Sequence, residues 1–351
     1  MITLPYILLA IIWFALIAYA VFGGADFGAG VWDLLAFGSN ADRQHEVIDE
    51  ALGPVWEANH VWLVFLVVGL FSAFPAPFAV IMIVLFIPLT LALIGVVLRG
   101  AAFVFRTHGL RSEKPWFRMW SRIFSFSSVM TPFFLGLSAA AVASGQIRVA
   151  GGQGEPMRGV PIETNLGSLW LTPFALTIGL MAVTLCATLA AIFLTVEATN
   201  TKEAELAEGF RLRGLVAGAL TALLGAIGLL LSSSSAPFLW KGMIGHALPL
   251  VIVTMLIGVA TAVTLFFRYY VIARVLIVAE TAFILGSWGV SQIPYLLPPD
   301  VTVDAGAGPP STLLLLLIGI IIGMALVLPS MWFLFYIFKL KSSVGLLEKG
   351  R

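Results

Sequence analysis

The stretch PYILLAIIWFALIAYAVFGGADFGAGVW, Pro5–Trp32, is apolar over most of its length and ends in glycines around one carboxylate, Asp26. A helix that crosses the hydrocarbon core of a bilayer needs about 20 largely apolar residues. The rest of the chain has the same character, since 60% of its 351 residues are hydrophobic and 11% are charged. Typical soluble domains carry about 25% charged residues. The sequence therefore predicts an all-α integral membrane protein.

Nine apolar segments are long enough to cross a membrane, and together they predict a single polytopic membrane domain over residues 1–351. Only Arg268–Tyr270 separates the seventh from the eighth, which predicts a tight helical hairpin. The segments Gly145–Leu169 and Ser291–Ser311 are rich in glycine and proline and indicate no folded domain. The nine predicted spans are Pro5–Trp32, Val55–Phe74, Phe78–Val104, Phe124–Ser144, Trp170–Thr195, Gly214–Leu231, Leu248–Phe267, Val271–Gly289 and Thr312–Phe338.

The distribution of positive charge between the predicted loops gives the orientation. With the N-terminus outside and the C-terminus in the cytoplasm, 16 of the 19 lysines and arginines fall on the inner side. The outer side keeps Arg148, Arg158 and Lys241. Arg99 ends the third span, and we expect its long side chain to extend to the inner surface. The start of the chain lacks the positive leader of a cleavable signal peptide, so the first span is expected to be retained.

Composition and histidine placement disfavour several kinds of partner. A formal net charge of +1 indicates no basic surface for nucleic acid. The single cysteine, Cys186, forms neither an intrachain disulfide nor a cysteine-rich metal site. Haem ligation inside a membrane needs axial histidines, and of the four histidines only His60 lies near a predicted helix interior. We therefore predict that the chain alone binds neither haem nor metal.

The first polar cluster surrounds Asp26 in the glycine-rich end of the first span. Asp26, Gly30 and Asp33 recur at i, i+4 and i+7, which places them on one helical face. A carboxylate inside a membrane is unfavourable unless it faces a partner or water. Two interpretations are open: Asp26 belongs to a proton-conducting path, or it ties helices together or caps a helix start after the glycines.

A second cluster is an acidic stripe that leads into the second span. Glu46, Glu50 and Glu57 recur at i, i+4 and i+11, close to one face of a helix. The stripe begins at the inner surface and runs into the apolar segment Val61–Leu70. We interpret Glu57 as a carboxyl group that exchanges protons, with His60 as its partner or as the next relay station. The alternative is that Glu46, Asp49 and Glu50 form an ordinary solvated surface.

Four further residues are predicted to support this path or its surroundings. Trp56 and Trp62 flank Glu57 and are expected to keep water away from it, and Asn59 is a polar neighbour on the same helix. Glu280 interrupts the apolar eighth span. It is either paired across helices or part of a polar path.

Five segments of the chain resemble subunit II of cytochrome bd-type quinol oxidases. The paired signature of that family is similar to GADFGAGVWDLL at Gly24–Leu35 and GPVWEANHVWLV at Gly53–Val64. Three later segments resemble the family in the same order, so the similarity runs nearly end to end. They are SFSSVMTPFFLGLSAA at Ser125–Ala140, LTPFALTIGL at Leu171–Leu180 and SQIPYLLPPDVTVDAGAGPPSTL at Ser291–Leu313. The last is more similar to the branch that includes cyanide-insensitive oxidases.

The resemblance implies nine helices, arranged as two four-helix bundles plus one peripheral helix, beside a similarly folded subunit I. It implies that subunit I holds the haems, b-type with or without haem d, and the loop that oxidises quinol. The complex lies in the bacterial cytoplasmic membrane and reduces oxygen to water with protons from the cytoplasm. Subunit II is implied to stabilise this complex, to hold a quinone lipid and to contribute to a proton path. Small single-helix subunits and membrane lipids are further expected partners.

Residue by residue, the resemblance contains matches and departures. Asp26 matches the aspartate of the first motif, and Glu57 stands where the family often has an aspartate. His60 occupies a place that is often Gln or Glu, and Val104 stands where many relatives keep a carboxylate, so a proton route through that station is in doubt. The competing hypothesis is a secondary transporter or channel. It predicts paired glycine or proline interruptions in corresponding halves, and the sequence shows none.

Overall fold

The computed structural model describes residues 3–36, 41–108, 114–149 and 169–348, and these residues are helical nearly throughout. Side chains are described at these positions except at 42, 49–58, 106–108, 114, 115, 117, 328, 331, 332 and 334–348. The elements in chain order are α1 (Leu4–Leu34), α2 (Ala41–Ala73), α3 (Pro75–Val84), α4 (Phe86–His108), α5 (Lys114–Ala143), α6 (Pro173–Asn200), α7 (Ala204–Ser235), α8 (Pro237–Ile244), α9 (Leu248–Phe266), α10 (Tyr270–Gln292), β1 (Tyr295–Leu297), β2 (Val301–Thr302), α11 (Val303–Gly306) and α12 (Pro310–Glu348).

The predicted class, an all-α integral membrane protein, is confirmed. Within the described residues, eight helices are long and apolar enough to cross a membrane. A ninth span is counted if Asn59–Ala73 of α2 and the following Pro75–Val84 are taken as one broken span, bent by 118°. Pro75 stands at the first position of α3. Because proline lacks an N–H and clashes with a continuing helix, the chain turns sharply there.

The start of the third predicted span, Phe78–Val104, is wrong. The chain breaks at Leu85, and the apolar span begins at Phe86. Pro88 lies in the first turn of α4. Proline is tolerated in a first helical turn, where its missing N–H would have no partner, but it disrupts a helix interior. One long apolar run therefore becomes a short helix followed by a spanning helix.

The spanning helices pack in two groups. In the first, α1 packs on α2 and α5, and α5 packs on α4. In the second, α6 packs on α7 and α10, and α9 packs on both α7 and α10. Helices α1 and α5 contact α6 and join the two groups, while α12 lies against α1 and α2. This arrangement agrees with two four-helix bundles and one peripheral helix.

The turns that join α6 to α7 and α9 to α10 are short and share one geometry. Lys202 and Arg268 adopt left-handed backbone conformations, with φ of 63° and 65°. The N–H groups that follow them bond back to helix carbonyls, from Glu203 to Ala198 and from Tyr269 to Thr264. Such bonds satisfy carbonyls that a helix C-terminus leaves unpaired. The tight hairpin predicted around Arg268–Tyr270 is confirmed.

The segment between α10 and α12 packs against the chain itself. Strands β1 and β2 pair antiparallel, and Leu297 and Val301 are fully buried in a cluster that contains Val84 and Ile147. The carboxylate of Asp300 accepts bonds from Arg148 Nε at 2.9 Å and from the Val149 N–H at 3.0 Å. These contacts hold the connection over the ends of α3 and α5.

Candidate functional site

Glycines in the second half of α1 let this helix approach its neighbours very closely. A Cβ atom at Gly28 would lie 1.8 Å from the carbonyl oxygen of Cys186 in α6, and one at Gly30 would lie 2.1 Å from Ser128 Oγ in α5. Any larger residue would push the helices apart. The same close packing buries Asp26 and Asp33, which lie on this part of α1.

Asp26 forms a buried ion pair with Arg99 of α4. Their exposed fractions are 1% and 2%. Arg99 Nη2 donates to Asp26 Oδ1 at 2.7 Å and to the Asp26 carbonyl oxygen at 2.9 Å, and Nη1 donates to Oδ2. Asn59 Nδ2 of α2 also donates to Oδ2, at 2.8 Å. The carboxylate therefore ties α1 to α2 and α4, as one of the two interpretations of the sequence expected.

The expectation that Arg99 extends to the inner surface is wrong. Its Nε donates to Ser128 Oγ of α5 at 2.9 Å. The guanidinium carbon lies 5.1 Å from the centre of the Phe27 ring and 4.7 Å from that of Phe124, within the range of cation–π attraction. A buried charge needs a counter-charge and satisfied hydrogen bonds. Asp26 and Ser128 supply both, so the side chain turns inward.

A narrow cleft beside the ion pair brings together several of the predicted residues. Asp26, Asn59, His60 and Arg99 line it, together with Tyr19. The cleft is too narrow to hold a water molecule. The Tyr19 hydroxyl is buried and has no hydrogen-bond partner among the described residues. The structure thus places Asp26 and His60 at one junction between α1, α2 and α4.

A second buried carboxylate, Asp33, lies in the last turn of α1, directly before Leu34. His45 Nδ1 of α2 is 2.6 Å from Asp33 Oδ1, and Ser125 Oγ of α5 donates to Asp33 Oδ2 at 2.8 Å. The Asp33 side chain is almost fully buried, whereas the His45 side chain is partly exposed. His45 lies on α2. The spacing of Asp33 from Asp26 predicted its burial; no sequence signal pointed to His45.

The acidic stripe lies on one continuous helix, as its spacing predicts, since α2 runs from Ala41 to Ala73. Glu46 is exposed and accepts a bond from Arg43 Nη1 at 2.7 Å. Arg43 also binds Glu203 in the turn before α7, and this hydrogen bond holds the pKa of the Glu203 carboxyl below its usual range. Glu50, Trp56 and Glu57 belong to α2, but their side chains lie outside the described residues.

The remaining predicted residues occupy two different places. Trp62 is partly buried beside Tyr19 and Phe27, close to the Asp26 cleft. Glu280 is separate from that cleft, because its carboxylate faces α9. A Cβ atom at Gly258 of α9 would lie 3.0 Å from Glu280 Oε1. Glu280 therefore contacts a neighbouring helix, while its membership of a polar path stays a prediction.

Among the residues that the structure describes, no group of three or more His, Cys, Asp or Glu side chains is arranged to hold a metal ion. Cys186 is a free, buried thiol in contact with α1. The chemistry that the site offers is therefore that of charge pairs and exchangeable protons.

Comparison with known proteins identifies relatives over nearly the whole chain. The family profile described as cytochrome bd terminal oxidase subunit II matches residues 4–338. A putative cytochrome bd menaquinol oxidase subunit II of Bacillus subtilis is 25% identical over 95% of this chain and 94% of the relative. A cytochrome bd ubiquinol oxidase subunit 2 of the same organism is 27% identical over 52% of each chain.

A solved structure shares the fold. One chain of the bd oxidase from Geobacillus thermodenitrificans superposes with a TM-score of 0.73, covering 96% of this chain and 98% of its own length. The two sequences are 23% identical, so this likeness concerns the fold alone.

Proposed function

Because the chain belongs to the family of cytochrome bd terminal oxidase subunit II, we propose that it is the haem-free subunit that stabilises a haem-bearing subunit I and carries part of a proton path. Membership makes the chain a multi-pass inner-membrane protein and a subunit of a quinol-oxidising respiratory oxidase. The competing hypothesis of a secondary transporter or channel is not favoured. The orientation, with the N-terminus periplasmic and the C-terminus cytoplasmic, and the partner's haem set are parts of the proposal.

The scaffold role is supported by the buried ion pair that joins the helices of the first group. Breaking a buried ion pair leaves an uncompensated charge and costs about 3–5 kcal/mol. The Asp26–Arg99 pair engages α1, α2, α4 and α5 at one point. These helices therefore have a strongly preferred arrangement, and a rigid face suits a subunit that holds a partner in place. Small single-helix subunits, membrane lipids and a quinone complete the proposed assembly.

The proton-path role rests on the course of α2. Oxygen reduction to water consumes one proton for each electron, so the complex needs a route from the cytoplasm to the reaction centre. Helix α2 has an exposed carboxylate, Glu46, near its start, and it carries His60 into the cleft that contains buried Asp26. Glu50 and Glu57 stand between these points along the helix. The observation that carries the proposal is that one continuous helix, α2, bears both the exposed Glu46 and His60, which lines the Asp26 cleft.

Three groups lie at the end of this path that is inside the membrane, and each has a different proposed role. Glu57 is the carboxyl that gives up and regains protons, and His60 is its partner or the next station. Asp26 serves as the fixed negative charge beside them. Its oxygens already accept bonds from Arg99 and Asn59, and a proton on Asp26 would leave Arg99 as a buried unpaired cation.

Oxygen consumption per haem in the purified complex tests the relay. Glu57→Gln keeps the shape and hydrogen-bonding capacity but cannot ionise, so the complex should assemble with full haem content and turn over slower by about tenfold or more. Glu57→Asp keeps the acid and should retain much of the rate. Glu208→Gln on α7 is the matched control, because that glutamate contacts Arg211 and Arg268, away from α2. Normal turnover per haem in Glu57→Gln would remove the relay and leave the chain as a scaffold.

A further inference from the structure

A cavity of about 180 Å³ lies where α8 packs against the end of α10. Phe238, Lys241, His246, Gln292 and Tyr295 are among the residues that line it. The packing that forms this cavity is tight, because a Cβ atom at Gly242 of α8 would lie 2.0 Å from the Ser291 carbonyl oxygen. A cavity needs only about 10–15 Å³ to admit one water molecule. The space is therefore large enough for a small chemical group.

Two polar side chains in the lining, Gln292 and Lys241, indicate what the cavity can bind. Gln292 is 8% exposed, and its Nε2 is buried without a hydrogen-bond partner among the described residues. A buried N–H without an acceptor is unfavourable by roughly 1–3 kcal/mol. Lys241 adds a positive charge, and a lysine ammonium can only donate. No described carboxylate lines this cavity. An anionic group with acceptor oxygens would complement both the lysine charge and this N–H.

The position of the cavity indicates where this anion comes from. Helix α9 begins at Leu248 and α10 ends at Gln292, so the cavity lies at the ends of two membrane spans. Helix ends of this kind lie near the boundary between hydrocarbon and headgroups. Exposed apolar side chains lie around the mouth, namely Phe238, Ile244 and Ile293. Acyl chains would contact these residues while a headgroup enters the cavity.

We propose that this cavity binds the phosphate of a membrane phospholipid, with Lys241 as the counter-charge and Gln292 Nε2 as an N–H donor. His246 helps to shape the site, because its Nε2 is 2.8 Å from the Val290 carbonyl oxygen and the ring is held on the end of α10. Phe238 and Tyr295 pack edge to face, with ring centres 6.2 Å apart, and form an aromatic wall. The site is separate from the Asp26 cleft and does not depend on a proton path.

The test uses the intact complex, delipidated in mild detergent and then given phosphatidylglycerol, with bound lipid counted by native mass spectrometry. The wild-type complex should retain one phospholipid more than Lys241→Gln or Gln292→Leu, and both variants should bind the added lipid about tenfold more weakly. Lys241→Arg should restore retention, since it keeps the charge. Lys202→Gln is the control, because that lysine is exposed in the turn between α6 and α7.

Two further arms separate the sources of the anion. Inorganic phosphate alone should neither displace the lipid nor bind with comparable affinity, and diacylglycerol, which lacks the phosphate, should not be retained. Displacement by inorganic phosphate would make this a free-anion site and overturn the lipid assignment. Retention of diacylglycerol or added quinone in its place, or equal lipid retention in wild type and Lys241→Gln, would overturn the recognition of phosphate.

Discussion

Replacing Arg99 by glutamine should destabilise the protein far more than removing any exposed charge. The substitution deletes the guanidinium bonds to the Asp26 carboxylate and leaves Asn59 as its donor among the residues that the structure describes. A buried charge left in this way costs about 3–5 kcal/mol. Loss of the contacts with the Phe27 and Phe124 rings adds roughly 0.5–2 kcal/mol. We therefore expect a loss of about 3.5–7 kcal/mol for Arg99→Gln.

A double-mutant cycle shows whether this loss arises from the pair. Asp26→Asn alone strands Arg99 and should also lose about 3–5 kcal/mol. The double variant carries two neutral amides, which can hydrogen-bond to each other. It should be more stable than the sum of the single changes predicts, by about 2 kcal/mol or more. The free energy of unfolding is measured on the purified complex by titration with SDS, with helicity followed by circular dichroism.

The pair Arg148–Asp300 provides the comparison, because its arginine is exposed although its aspartate is buried. Arg148 Nε donates to Asp300 at 2.9 Å, but 56% of the arginine side chain is exposed. Water screens the charge of the exposed arginine, and ion pairs open to water contribute about 0–1 kcal/mol. Asp300 also keeps the Val149 N–H as a donor when the arginine is removed. Arg148→Gln should therefore cost no more than about 1 kcal/mol. Equal losses for Arg99→Gln and Arg148→Gln, or additive effects of the changes at Asp26 and Arg99, would refute the conclusion that this buried pair locks the helices.

Three other predictions follow from the fold and the proposed orientation. A cysteine that replaces exposed Pro309 should react with an impermeant thiol reagent added to the periplasmic side, and a cysteine that replaces exposed Lys202 should not. Buried Cys186 should not react in either variant. The reverse labelling pattern would overturn the orientation. Gly28→Ala places a Cβ atom 1.8 Å from a backbone carbonyl oxygen of α6, so assembled complex in membranes should fall sharply; a normal yield would contradict the close packing. The chain purified alone should show no Soret absorption, and a stoichiometric Soret band would disprove the haem-free assignment.

The spans were predictable from sequence because the length of an apolar run is itself the physical requirement for crossing a bilayer. The face shared by Asp26, Gly30 and Asp33 was predictable because helical periodicity places them together, and all three are buried. The break at Leu85 was not predictable from hydropathy, because the residues around it are apolar throughout. In this region the positions of Pro75 and Pro88, and not the apolar composition, determine where the helices begin.

The partners of the polar residues were harder to predict, because they depend on which helices meet. The Arg99 side chain could extend to the membrane surface or form a buried ion pair. The second prevails because α1 brings Asp26 and α5 brings Ser128 within hydrogen-bonding distance. His45 and Asp33 likewise come from different helices. Within the acidic stripe, the sequence predicted the continuous helix, while the role of Glu57 stays a prediction.

The central claim is that this chain is the second subunit of a haem-bearing quinol oxidase, and purification through a tag on this chain tests it most directly. The measurement is the reduced-minus-oxidised haem spectrum of the purified material, together with its quinol-dependent oxygen uptake. The account predicts a stoichiometric haem-bearing partner and oxygen uptake that requires added quinol. A chain that purifies intact and folded but without a haem protein, and without oxygen uptake, would contradict it.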